Sequence, residues 1–206
     1  MGVYSTTTPL TKEQQWIVEF WSDDICRLTF EPGGRWFTIA QQVVKLQKPS
    51  LQKAAYTYAK LGIGLSDAAV ACWNSKYTYN TERPIDYIRR TIDLLWQSKL
   101  NNSLTNVQGI SPPFPSYPSG HSGFGSVAAE VLTDIYGAAY AMNDRCHERR
   151  TEFIGTPRGF DSFCEMAQEN AYLRIPLGVH YWMDCEEGLR MGFAIGCRVN
   201  QMAWKK

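Results

Sequence analysis

Leu51 to Trp73 is an almost continuous run of alanine and larger apolar residues, too long for a single strand and lacking the alternation of a half-buried one. Such a run makes a helix buried on several sides, so other helices must surround it; Gly62 and Gly64 mark where it is expected to break. The rest of the chain supplies those neighbours. Thr11-Lys12-Glu13-Gln14 has the pattern of a capping box ahead of Trp16, Ile17 and Phe20. Pro84 suits the first turn of a helix that presents Ile85, Ile88, Ile92 and Leu95 on one face. A helix from His121 to Tyr136 stops at Gly137, and a last one runs from Tyr181 to Val199. Alternating patterns are scarce, so the expected fold class is all-α, a helical bundle. With 206 residues, no internal repeat and no Gly/Ser linker, residues 1–206 are expected to form one domain.

Gly188, Gly192 and Gly196 recur every fourth residue and form a ridge without side chains. Glu186, Glu187 and Arg190 argue against a membrane dimer motif there, which leaves tight packing inside a bundle. A formal net charge of +1 argues against a broad nucleic-acid surface or a polybasic membrane module, so any strong charge must be local. Charges and prolines interrupt every apolar stretch, so no spanning segment is expected. Cys26, Cys72, Cys146, Cys164, Cys185 and Cys197 form no Cys-x-x-Cys pair and read as buried thiols, which leaves the compartment open. Met1 to Thr8 has no basic segment followed by an apolar run, so no signal peptide is legible.

Chemistry concentrates in three segments. Lys76 and Arg83, with Pro84 behind them, are two permanent cations that face one way if the segment is helical, although Pro84 makes a turn before Arg83 equally reasonable. Pro112 to Gly123 is a proline-stiffened loop in which Ser119, Gly120 and His121 stand where a helix begins; free N–H groups and the helix dipole make an anion seat there, with a histidine at its edge. In the third segment Asp184 follows His180 by four residues, so within a helix the carboxylate could hold one ring N–H and leave the other nitrogen as nucleophile or ligand. Arg174 adds a planar fork suited to an oxyanion. Two of the three histidines thus fall within such groupings, whereas His147, in a polar stretch, reads as exposed and without a role.

Lys76-x6-Arg83-Pro84, Pro118-Ser119-Gly120-His121 and Arg174-x5-His180-x3-Asp184 resemble, in order and internal spacing, the three-part signature of the type 2 phosphatidic acid phosphatase and vanadium-dependent haloperoxidase superfamily. The resemblance implies an all-helical fold and a site for vanadate or phosphate. The flanking residues, from Phe114 to Gly125 and around Trp73, Tyr77 and Tyr79, resemble the haloperoxidase branch. It implies that Lys76, Arg83, Ser119, Gly120 and Arg174 hold the oxygens of vanadate and that His180, oriented by Asp184, bonds the vanadium. It further implies that His121 is the acid–base, that Lys76 polarises peroxide, and that Phe114 lies on the halide side. Two departures stand out: Leu173 replaces the Ser usual before the third-motif Arg, and Glu82 replaces a bulky aromatic before Arg83.

The implied substrates are hydrogen peroxide, a halide and an organic acceptor. The same residues would also serve a soluble acid phosphatase, in which His180 attacks a phosphate ester and His121 protonates the leaving alcohol. A third expectation is a non-catalytic oxyanion-binding fragment, since the family's peroxidases are longer; a homodimer would then cover the exposed surface.

Overall fold

In the computed structural model, residues 10–23, 25, 29–102, 104–152 and 154–204 are described. The N-terminal octapeptide and Cys26 lie outside them. The elements are α1 (Lys12–Phe20), α2 (Pro32–Gln47), α3 (Leu51–Tyr79), α4 (Pro84–Thr91), α5 (Gly120–Tyr136), β1 (Met142–Asp144), β2 (Arg158–Phe160), α6 (Phe163–Tyr172) and α7 (Trp182–Asn200). Among the described residues the chain is mainly helical, as its patterning predicts. The two strands form one antiparallel pair in which Met142 faces Phe160 and Asp144 faces Arg158. None of the described helices is long and apolar enough to cross a membrane.

α5 is the central helix and packs against α2, α3, α6 and α7. Its first ten residues, Gly120 to Ala129, are all buried, and many are glycine, serine or alanine. Small residues let neighbouring backbones come close. The closest approach is the predicted glycine ridge of α7. A methyl group at Gly188 would lie 2.5 Å from the Ser119 carbonyl, one at Gly192 would collide with Ser126 and the Gly123 carbonyl, and one at Gly196 would lie 2.6 Å from Glu130 Cβ. These contacts advance along both helices together, so α5 and α7 run parallel and begin at the same end of the bundle. A hydrogen bond from Ser119 N to the Asp184 carbonyl, 2.9 Å, ties the two starts together.

The capping box at Thr11 forms as expected, with Gln14 Oε1 accepting from Thr11 N at 3.0 Å. Two helices differ from expectation. α3 is not interrupted at Gly62 or Gly64 but continues to Tyr79 and stops at Asn80 in the left-handed region. The small side that Gly64 presents is filled by Val127 of α5, so close packing keeps the helix whole. α4 stops at Thr91. Its C-cap Ile92 leaves helical geometry, and Ile92 and Leu95 are exposed; Trp96 folds back onto Ile85 and Ile88 instead. Arg89 Nε holds the Trp96 carbonyl at 2.8 Å.

His147 is a further correction. It is 1% exposed, with Nε2 2.9 Å from both the Phe20 carbonyl oxygen and Arg35 Nη1. Its partners lie more than a hundred residues away in sequence, beyond the reach of any local pattern.

Candidate anion-binding site

Lys76 lies in the last turn of α3, and its buried ammonium donates to the carbonyls of Pro115 and Ser116, both at 2.9 Å. The turn at Asn80 redirects the chain, and Arg83 becomes the N-cap residue of α4, where Pro84 can sit because the first helical N–H has no partner to lose. The turn, not a continuous helix, therefore brings the two cations together. Arg83 Nε donates to the Phe114 carbonyl and Nη1 to the Val179 carbonyl, each at 2.8 Å, and Nη1 lies 3.4 Å from His180 Nε2. The Phe114 ring packs on Trp73, with the Arg83 guanidinium 5.0 Å and the Lys76 ammonium 5.3 Å from its centroid. An aromatic face is a favourable neighbour for a cation removed from water.

Ser119 is the N-cap of α5, its hydroxyl oxygen accepting from Ser122 N at 3.3 Å, so its O–H remains a donor. Gly120 and His121 form the first turn, where N–H groups and the dipole favour an anion. The parallel packing brings the equivalent end of α7 alongside.

His180 precedes α7 rather than lying within it: Tyr181 is the N-cap and Asp184 stands at the third position. The pairing expected within a helix is achieved by the carboxylate reaching back. Asp184 Oδ2 accepts from His180 Nδ1 at 2.9 Å, from the Ser116 hydroxyl at 2.5 Å and from Tyr181 N at 3.0 Å. These bonds fix the ring and assign its proton to Nδ1, which leaves Nε2 with a lone pair.

Arg174 lies just beyond α6, fully buried, and Nη1 donates to the Trp21 carbonyl at 3.3 Å. Leu173, where a Ser was expected, is the C-cap of α6 and packs into the core. Glu82 pairs with Arg90 on the surface.

Electrostatics connect these groups. Burial, and then the charges of Arg174, Arg83 and Lys76 together with the neighbouring His180, hold His121 well below the ordinary histidine range. Burial followed by Arg83, Lys76 and Arg174 does the same to His180. Both rings are therefore neutral near pH 7, inside a positive field. The Asp184 carboxyl is raised by burial against the opposing pull of Ser116, Tyr181 and the cations.

All the predicted residues other than Phe114 are buried, and the structure brings Lys76, Arg83, Arg174, His121, His180 and Asp184 into one neighbourhood. A surface cleft of about 700 Å³ lined in part by Tyr79, Tyr117, Tyr172 and Arg190 contains none of them. Sequence reasoning missed Ser116, which braces Asp184 while its carbonyl holds Lys76, and the Trp21 carbonyl. Ser116 lies in the proline-rich loop, but nothing in its spacing distinguishes it from Ser111 or Ser122.

Residues 56–206 match the family described as the VCPO second helical-bundle domain. The vanadium chloroperoxidase of Curvularia inaequalis is 26% identical over 170 residues, which is 63% of this chain and 28% of that protein. A solved bacterial vanadium-dependent iodoperoxidase superposes with a TM-score of 0.80 at 30% identity, covering 92% of this chain and 43% of the other. A bacterial vanadium-dependent chloroperoxidase in its holo form gives a TM-score of 0.68 at 14% identity, covering 97% and 45%, a likeness of fold. The chain thus spans less than half the length of each of these relatives.

Proposed function

The chain belongs to the VCPO second helical-bundle domain family, and on that premise we propose that residues 1–206 form the catalytic bundle of a vanadate-dependent haloperoxidase, oxidising halide with hydrogen peroxide. The observation that carries this reading is His180. Its Nδ1 is committed to Asp184 at 2.9 Å, and burial, reinforced by the surrounding cations, keeps the ring neutral, so Nε2 is a ready ligand. A protonated ring could not bind. The donor set also fits a tetrahedral oxyanion: three fixed cations, one hydroxyl and a helix N-terminus. Among the described residues no three His, Cys, Asp or Glu side chains gather as a cage for a bare cation would need.

Lys76, Arg83 and Arg174 would offset the charge on the oxygens, with the Ser119 hydroxyl and Gly120 amide as further donors, and His180 Nε2 would bond the metal. When bound, vanadate supplies a Lewis-acidic centre that makes peroxide electrophilic toward halide. His121, neutral at the edge of the cradle, takes the proton that peroxide sheds on entry and returns it to the departing product. The Lys76 ammonium stabilises negative charge beside it, and Phe114 shapes the halide side. The burial of the cradle side chains suits small substrates such as peroxide and halide better than bulky esters.

The experiment is iodide, bromide and chloride oxidation by hydrogen peroxide, with vanadate removed and then restored, run beside hydrolysis of a chromogenic phosphate monoester. The expected result is halide oxidation that follows vanadate and vanishes in His180→Ala. Ester hydrolysis lost in the same variant, without halide oxidation, would replace this reading with the phosphatase. Vanadate-independent oxidation would refute it.

A further inference from the structure

The Trp21 carbonyl that holds Arg174 belongs to a segment with its own anchor. Arg35, on α2, is fully buried and grips that segment at several points. Nη1 donates to the Phe20 carbonyl at 3.0 Å and lies 3.6 Å from Asp23 Oδ1, while the guanidinium sits 4.6 Å from the Phe20 ring centroid and 4.7 Å from that of Trp21. On its other side Nη2 donates to Asp144 Oδ2 at 2.9 Å. Asp144 is fixed in turn by Gln42 Nε2 at 2.8 Å and Cys146 N at 2.9 Å, so the anchor is tied to both α2 and β1. The Trp21 indole stacks against Trp36 and donates from Nε1 to Glu169 at 2.8 Å.

Trp21 is thus a joint, with its side chain clamped by Arg35, Trp36 and Glu169 and its carbonyl turned to Arg174. A guanidinium is planar, so fixing one of its N–H groups restricts the plane in which the others point. We propose that Arg35 is a positioning residue for the anion cradle, acting on Arg174 through the Phe20–Asp23 segment. The proposal rests on the reading above, in which Arg174 holds the oxyanion. Where the third motif lacks its usual Ser at Leu173, a backbone carbonyl held from outside the cradle orients the arginine.

Arg35→Lys keeps the charge but loses the fork, since one ammonium cannot span Phe20 and Asp144 as two nitrogens do. Orthovanadate affinity, measured by calorimetry without peroxide or halide, is expected to fall about tenfold, the effect typical of losing an outer-shell support. In an Arg174→Ala background the same substitution is expected to cost less than about twofold, because the group it positions is gone. A merely structural role would cost the same factor in both backgrounds, and that result would overturn the proposal. Asp144→Asn, which leaves Arg35 in place and weakens its anchor, is measured in the same two backgrounds and decides the matter if Arg35→Lys does not fold. If the unaltered chain binds no orthovanadate, the oxyanion reading itself fails; binding that neither Arg35→Lys nor Asp144→Asn changes refutes the positioning role alone.

Discussion

Gly188→Ala tests the parallel packing that brings the two helix starts together. The added methyl carbon would lie 2.5 Å from the Ser119 carbonyl oxygen and 2.6 Å from Ser122 Cβ. Carbon and carbonyl oxygen approach comfortably only to about 3.3–3.6 Å, so the start of α5 must move about 1 Å away from α7. Ser119 is backbone-bonded to Asp184, and no side-chain rotation relieves a clash with a carbonyl, so the whole first turn must shift. Overpacking of this kind costs about 1–3 kcal/mol, and a clash with backbone belongs at the upper end; the better helix propensity of alanine returns up to about 1 kcal/mol. The expected net loss is about 2 kcal/mol, which lowers the urea midpoint by about 1 M with an unchanged slope. Gly62→Ala is the counterpart. It lies inside α3, where its methyl would meet only Phe37 Cζ at 3.7 Å, so the propensity gain of about 0.5–1 kcal/mol should raise the midpoint. A displacement of about 1 Å at the cradle should also cost on the order of a hundredfold in halide oxidation by Gly188→Ala. A Gly188→Ala midpoint at or above that of the unaltered chain would refute the argument for close contact between α5 and α7.

Asp184→Asn removes the carboxylate that accepts from His180 Nδ1, Ser116 and Tyr181, so orthovanadate affinity should fall by about 10–100-fold with only a modest change in melting temperature; unchanged affinity would mean that Asp184 does not orient the ring. His147 contributes a pH dependence of stability. Its pKa is lowered from 6.5 to about 4, chiefly by burial and then by Arg35, so between those values the unfolded chain binds a proton that the folded chain does not. Stability is therefore complete above pH 6.5 and is lost as pH falls toward 4, by about 3 kcal/mol. His121 and His180 shift the same way, so the measurement is the difference between the unaltered chain and His147→Gln, whose urea midpoint should vary less over this interval. Equal slopes for the two proteins would sink the assignment.

Much of the candidate site is legible along the chain because its parts are local. Ser119, Gly120 and His121 are consecutive, Asp184 is four residues from His180, and a cap, a proline or a glycine signals most helix starts and stops through contacts within four residues. The glycine ridge is legible for the same reason, since a period of four residues defines one side of a helix. The order and spacing of the three motifs also carry the family resemblance.

What the sequence by itself determined is therefore the inventory of helices and the side chains offered to an anion. The tertiary structure decided the rest: that α5 and α7 run parallel so that their starts converge, that α4 ends early because Trp96 folds back onto it, and that His147 is buried. It also decided that Arg35, Asp144 and Trp21 stand behind Arg174, with partners up to 153 residues apart. No periodicity encodes such pairings. A buried arginine and an exposed one look the same in sequence, and only the packed core, which removes water and makes each buried charge find its partners, distinguishes them.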